Sequence, residues 1–232
     1  MLVALNAQQQ FIVKGKIEFE KKTNLHKLLP PGQFAETMKK SIPQFKNDYF
    51  DLYFSENKTL YKPGREVAAV KVPEFVLGPA NDNVVYSELN DGKFVSQKVV
   101  FDNTFLVQDS LRKIDWKITQ DTRTIAGFEC RKATAIIMDS IYVVAFYTDQ
   151  ILTTGGPESF TGLPGMILGL GLPRLNTTWF ATKLEVIEVK ETDLAAPKKG
   201  KKTNMADLDK QFKAAMTDWG KDAERFIWRI FI

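Results

Sequence analysis

From Asn83 to Ile151 the chain is a succession of short β-forming runs. "NVVYSEL", "KFVSQKVVF", "NTFLVQDS", "DWKITQDTRTI", "ECRKATAII" and "YVVAFYTDQI" follow one another with only brief polar breaks. The breaks "NDG" at Asn90–Gly92, "DN" at Asp102–Asn103 and "QDTRT" carry turn chemistry. Strands at this spacing, without intervening helices, predict an antiparallel meander. Upstream, "FIVKGKIEFEKK" from Phe11 to Lys22 reads as a first strand, and "DYFDLYFSENKTLYKPG" as an aromatic hairpin turning at "SENK". Between them, Phe34, Met38 and Ile42 recur at helical spacing and predict a short helix that stops near Pro43. The prolines of "REVAAVKVPEFVLGPAND" predict a loop.

Downstream, "NTTWFATKLEVIEVKE" predicts one more long strand. "APKKGKK" from Ala196 to Lys202 is a basic, solvated break. Leu208, Phe212, Ala215 and Trp219 then share one helical face, with Asn204 placed to cap it. The final "FIWRIFI" either extends this helix or forms an edge strand. The predicted fold is mainly β: a curved antiparallel meander sheet or open half-barrel, with a short helix in the N-terminal half and an amphipathic C-terminal helix. Residues 8–197 form the β domain and residues 198–232 a basic loop with a helical tail.

Composition narrows the function. Of the 232 residues 44% are hydrophobic and 26% charged, an ordinary globular balance. A domain of this size buries roughly 70% of its extended surface and needs neither disulfide nor metal to fold. One cysteine, Cys130, and one histidine, His26, remove most zinc sites, Cys–His pairs and Ser–His–Asp triads. Cys130 lies on a predicted strand and reads as a small core residue, with Arg131 on the opposite face. Trp116 and Trp179 read as core or rim aromatics. A net charge of +4 does not call for a nucleic-acid partner. No metal or cofactor is predicted.

The run Leu2–Leu5, followed by "LNA" before Gln8, resembles the end of a signal peptide, so residues 1–7 are read as its remnant. No run reaches the roughly 20 apolar residues that span a membrane.

The segment "GGPESFTGLPGMILGLGLP", Gly155–Pro173, is dense in glycine and proline yet apolar. "GLPG" suits a type II turn, with Pro164 second and Gly165 third. Phe160, Leu163, Met166, Ile167 and Leu168 would pin the loop into the core. Two readings stand side by side: a structural plug, or a loop rimming a ligand site built from Phe160, Gly162, Leu163, Pro164, Gly165, Met166 and Ile167. Asp149 and Glu158 flank the bend and form the one candidate acid/base pair.

Here the chain resembles the GLPGLI family, exported proteins of the Bacteroidota named for this hexapeptide. Gly162 to Ile167 stand as "GLPGMI", preceded by "GPESF". "TIAGFECRKATA", "VVAFYTDQI" and "WKIT" resemble that family's strands in order and spacing. The resemblance implies export to the periplasm or outer membrane and a mostly antiparallel β fold, and names no activity. "DSL" at Asp109–Leu111 and "DSI" at Asp139–Ile141 resemble short O-glycosylation sites of such proteins.

The leading expectation is a non-enzymatic envelope protein that binds an apolar ligand, a lipid or an envelope protein on its curved sheet. One alternative is a carbohydrate-active hydrolase using Asp149 and Glu158. Another is a structural accessory of an outer-membrane transporter. The sequence assigns no oligomeric state.

Overall fold

The computed structural model describes residues 11–68 and 70–232; the leader-like residues 1–7 lie outside them. Strand β1 (Lys14–Asn24) leads through a short 3-10 turn to helix α1 (Gln33–Ser41). Then come β2 (Phe45–Ser55), β3 (Lys58–Pro63) and the one-turn helix α2 (Glu74–Leu77). The meander follows as β4 (Val84–Glu88), β5 (Lys93–Val100), β6 (Asn103–Ser110), β7 (Lys117–Ile125), β8 (Phe128–Ile137) and β9 (Ile141–Thr148). The chain ends with β10 (Met166–Leu172), β11 (Thr177–Glu185), β12 (Lys201–Thr203), α3 (Met205–Ala215) and α4 (Lys221–Phe231).

All twelve strands form one open sheet, in the order β12-β6-β5-β4-β3-β2-β1-β11-β10-β9-β8-β7. Every neighbouring pair is antiparallel except β12 with β6. The sheet is thus a mainly antiparallel, open half-barrel, mixed at one edge. Strand β1 shows why: every second residue is buried along its whole length, Ile17 and Phe19 inward, Lys16, Glu18 and Glu20 outward. That period of two builds one apolar face. Phe50, Leu52, Phe54, Tyr61, Val85 and Val107 continue it across neighbouring strands.

The apolar face is covered by the chain itself. Leu208, Phe212 and Met216 from the α3 region, and Phe226 and Ile230 from α4, belong to the same core cluster. The amphipathic C-terminal segment therefore packs on the sheet and shares the core of the β domain, and it also supplies the edge strand β12. Asn204 caps α3 as expected, its Oδ1 accepting from the Asp207 N–H at 2.8 Å. The expected apolar face is corrected after Phe212. Ala215 and Trp219 are exposed, and Met216 is buried in their place, because α3 ends at Ala215 and the chain continues as a 3-10 turn. "FIWRIFI" is helical, not an edge strand. Arginines hold α4 in place: Arg225 donates to the Leu28 carbonyl at 2.7 Å, Arg229 donates to that of Leu77, and Arg112 donates to that of Phe231 at 3.0 Å.

In the N-terminal half, Leu25, Leu28, Ala35 and Ile42 make a second small cluster with Val76. Phe34 is not part of it; it stays exposed beside Phe75. No helix among the described residues is long and apolar enough to cross a membrane.

Candidate functional site

The glycine-rich segment is half turn and half strand. Met166–Leu172 is a central strand paired on both sides, by β9 and β11, and not a loop. The Phe180 and Ile125 side chains lie directly over Gly169, where an added Cβ would meet each at 2.8 Å and force them to shift. The GLPG turn is tighter than type II: the Gly165 N–H donates to the Leu163 carbonyl at 2.8 Å, a three-residue closure around Pro164. Phe160, Leu163, Met166 and Ile167 are buried in the core, while Gly162 and Pro164 remain exposed. Five of the seven predicted binding residues, these four and Gly165, are therefore inside the fold. The Trp116 indole N–H donates to the Thr161 carbonyl at 2.9 Å and fixes the turn from outside.

The two candidate acids part company. Asp149 is exposed at the end of β9. Glu158 is buried, held at φ +55, a region that non-glycine residues rarely adopt. It accepts from Asn83 Nδ2 at 3.0 Å and lies 3.8 Å from Lys21 Nζ. Among the described residues no hydrogen bond joins the two acids. Glu158 instead balances a buried cationic vein. Lys21 also donates to the Asn81 carbonyl at 3.1 Å and sits over the Trp179 ring at 5.4 Å. Burial holds its ammonium below the ordinary value, opposed by Glu158. Lys98, buried on β5, has no hydrogen-bond partner among the described residues. Burial pushes it down to about 8, again opposed by Glu158.

Strand parity could have revealed both lysines. Lys98 shares the inward face of Phe94 and Val100, and Lys21 that of Ile17 and Phe19. Cys130 is buried and its thiol is pushed up to about 11 by burial, as suits a packed, unreactive side chain.

The Lys98 environment makes a pH prediction. The folded chain releases this proton near pH 8 and the unfolded chain near 10.5. Between these values the unfolded state binds more protons, so folding stability rises with pH in that window. Lys98→Met is expected to be more stable than the unsubstituted chain at pH 7, by about 3 kcal/mol from this source. The advantage should shrink as pH climbs from 8 towards 10.5. Urea unfolding of both chains at several pH values measures the difference; a pH-independent difference would contradict the assignment.

Beside the GLPG turn lies an open groove of about 890 Å³. Its walls come from three regions: Leu89–Gly92 with Phe94, Asp109–Ile114, and Thr154, Ser159, Thr161 and Gly162, closed by Met205. Its volume is within the roughly 300–1,000 Å³ of ligand sites. Asp109 is committed to structure, its Oδ2 accepting the Met205 N–H at 2.9 Å at the start of α3. Arg112 is committed to the Phe231 carbonyl. Asp91, Lys113, Ser159 and the Thr154 hydroxyl line the groove with no side-chain partner among the described residues. The groove thus offers an acceptor, a cationic donor and two hydroxyls beside the apolar Leu111 and Ile114. Among the described residues, no group of three or more metal-ligating side chains is present.

Residues 68–210 match the family model described as "N-glycanase peptide, N-terminal domain". The chain belongs to that family. The matched residues contain every residue lining the groove, from Leu89 to Met205, and the whole GLPG turn. Among solved structures, the chain resembles two described as PNGF-II in the P21 and C2 space groups. Each has a TM-score of 0.55 and 14% identity; they cover 86% and 85% of this chain. At that identity the likeness is one of fold. The chain spans about a third of the length of these structures, 33% and 32%. No curated protein matches it in sequence.

Proposed function

We propose that this chain is a glycan-directed, non-catalytic module. It would hold the sugar portion of a glycoprotein in the groove beside the GLPG turn, next to a deglycosylating activity carried elsewhere. The observation that carries this reading is the groove itself, which lies wholly within the family-matched residues and presents Asp91, Lys113, Ser159 and the Thr154 hydroxyl without side-chain partners among the described residues. Sugar hydroxyls both donate and accept. Asp91 accepts, Lys113 donates, and the Ser159 and Thr154 hydroxyls do either. Leu111 and Ile114 offer apolar surface to the C–H faces of a ring. Most glycosidases use two facing carboxyl groups about 5–9.5 Å apart. Glu158 is instead committed to Asn83 and Lys21, and Asp149 is exposed on its own.

Calorimetric titration with a free N-linked oligosaccharide and with a glycopeptide tests the reading. Saturable binding is expected, weakened about 10-fold or more by Lys113→Ala or Asp91→Asn. Absence of binding to both ligands at millimolar concentration would end it. Export, which the GLPGLI resemblance implies, is carried into the proposal. Cleavage before Gln8 in the envelope fraction of expressing cells is its check.

A further inference from the structure

A second cavity, of about 500 Å³, opens where the β5–β6 turn meets the segment Leu77–Asp82, the Trp219 turn and Phe226 of α4. Its walls are aromatic. Phe101 stands 6.2 Å from Trp219 at 65°, and Trp219 stands 5.3 Å from Phe226 at 84°. Rings set so steeply to one another form walls rather than a stack. Phe75, Phe101 and Trp219 are 53%, 48% and 44% exposed, far from the burial such side chains usually reach.

Phe101 adds a second, independent sign. It is the first residue of the two-residue turn between β5 and β6 and sits at φ +52. A bulky side chain there is strained, and asparagine or glycine would serve the turn better. A ring kept at a strained, half-exposed position points to a role for the ring itself. The rim supplies polar groups. Asp82 has no ion-pair partner among the described residues, and Lys46 is paired with Asp48.

We propose that this cavity is a saccharide site. It takes one pyranose ring of an N-linked glycan, with the C–H face on Phe101 and Trp219 and the hydroxyls on Asp82 and Lys46. The ligand class rests on the glycan reading above. The site is new to it, because Lys46, Trp219 and Phe226 lie outside the family-matched residues 68–210.

Tryptophan indole N–H resonances separate the two sites. Trp116 reports the groove, through its bond to Thr161, and Trp219 reports this cavity. On titration with di-N-acetylchitobiose, the Trp219 resonance is expected to shift saturably. In Phe101→Asn the apparent Kd from Trp219 should rise at least 10-fold while the Trp116 response is kept. The same substitution should raise Tm, by about 2–4 °C, as the turn strain is relieved. Binding lost as stability rises excludes misfolding as the cause. A Trp116 shift without a Trp219 shift would overturn this proposal and leave the groove reading standing; silence from both would overturn both. A Trp219 response to octanoate but not to the disaccharide would also overturn it. So would a Trp219 response indifferent to Phe101→Asn.

Discussion

Gly165→Ala is expected to leave little folded protein. Gly165 sits at φ +140, and a Cβ placed there would lie 2.0 Å from the Thr148 carbonyl oxygen and 2.7 Å from its carbon. Neither side can yield cheaply. Thr148 is paired with Met166 at the β9–β10 junction, and Met166, Ile167 and Leu168 are fully buried immediately after the turn. Moving the turn by the ångström or more that a methyl requires would shear β10 away from its neighbour. The loss should exceed about 4 kcal/mol, in the range reserved for changes that break a core or a special backbone position. Gly162→Ala is the control. Its φ is +95, but an added Cβ would meet only the Trp116 indole at 3.5 Å. It should lose about 1–2 kcal/mol from the backbone alone. Soluble yield and thermal melting separate the two. A Gly165→Ala chain melting within a few degrees of the unsubstituted one would show that the turn can relax.

The second large effect is expected at Glu158. Its carboxylate is the acidic partner of Lys21, and it opposes the burial of both Lys21 and Lys98. Glu158→Gln keeps the shape and the bond to Asn83 but removes the charge. Uncompensated buried charge costs about 3–5 kcal/mol. Burial already weakens the hold of both lysines on their protons, which should keep the loss near the lower figure, about 3 kcal/mol at pH 7. Raising the pH to 9 should reduce it, because Lys98, held down to about 8, has shed most of its charge there. Adding Lys98→Met should recover part of the loss, since the two residues share one network. Urea midpoints at constant m-value provide the measurement. A loss under about 1 kcal/mol at pH 7 would mean that the vein is balanced by something other than Glu158.

The hairpins were legible because their signals are local. "SENK", "NDG" and "DN" reverse the chain through their own residues, and Asn204 announces α3 through a hydrogen bond three residues ahead. Strand β10 was not legible. "MILGLGL" has no alternation, and glycine disfavours strands in general; it is a strand because β9 and β11 lie on either side and Phe180 fills the space over Gly169. The end of α3 was misjudged for a similar reason: helical spacing alone cannot show where a chain turns to meet a core. In the site, the segment around Gly162 was visible as a rim. Asp91, Lys113 and Ser159 carry no local mark, since only the sheet's curvature brings their three segments to one groove. The aromatic cavity was equally hidden, being assembled from residues as distant as Lys46 and Phe226.

The place of β1 in the sheet has a consequence for how the chain comes into being. One side of β1 pairs with β2, close by in sequence, and the other with β11, whose partners run from Thr177 to Glu185. During synthesis, β1 to β6 can zip together as successive hairpins while the far side of β1 waits for most of the chain to be made. Contacts of such separation are slow to close and tend to set the pace of folding. An unpaired edge kept waiting invites pairing with other chains. Five of the six outward residues of β1, Lys14, Lys16, Glu18, Glu20 and Lys22, are charged, and the sixth, Asn24, is polar. The same alternation that builds the core thus also keeps the nascent strand from the wrong partner until the right one arrives.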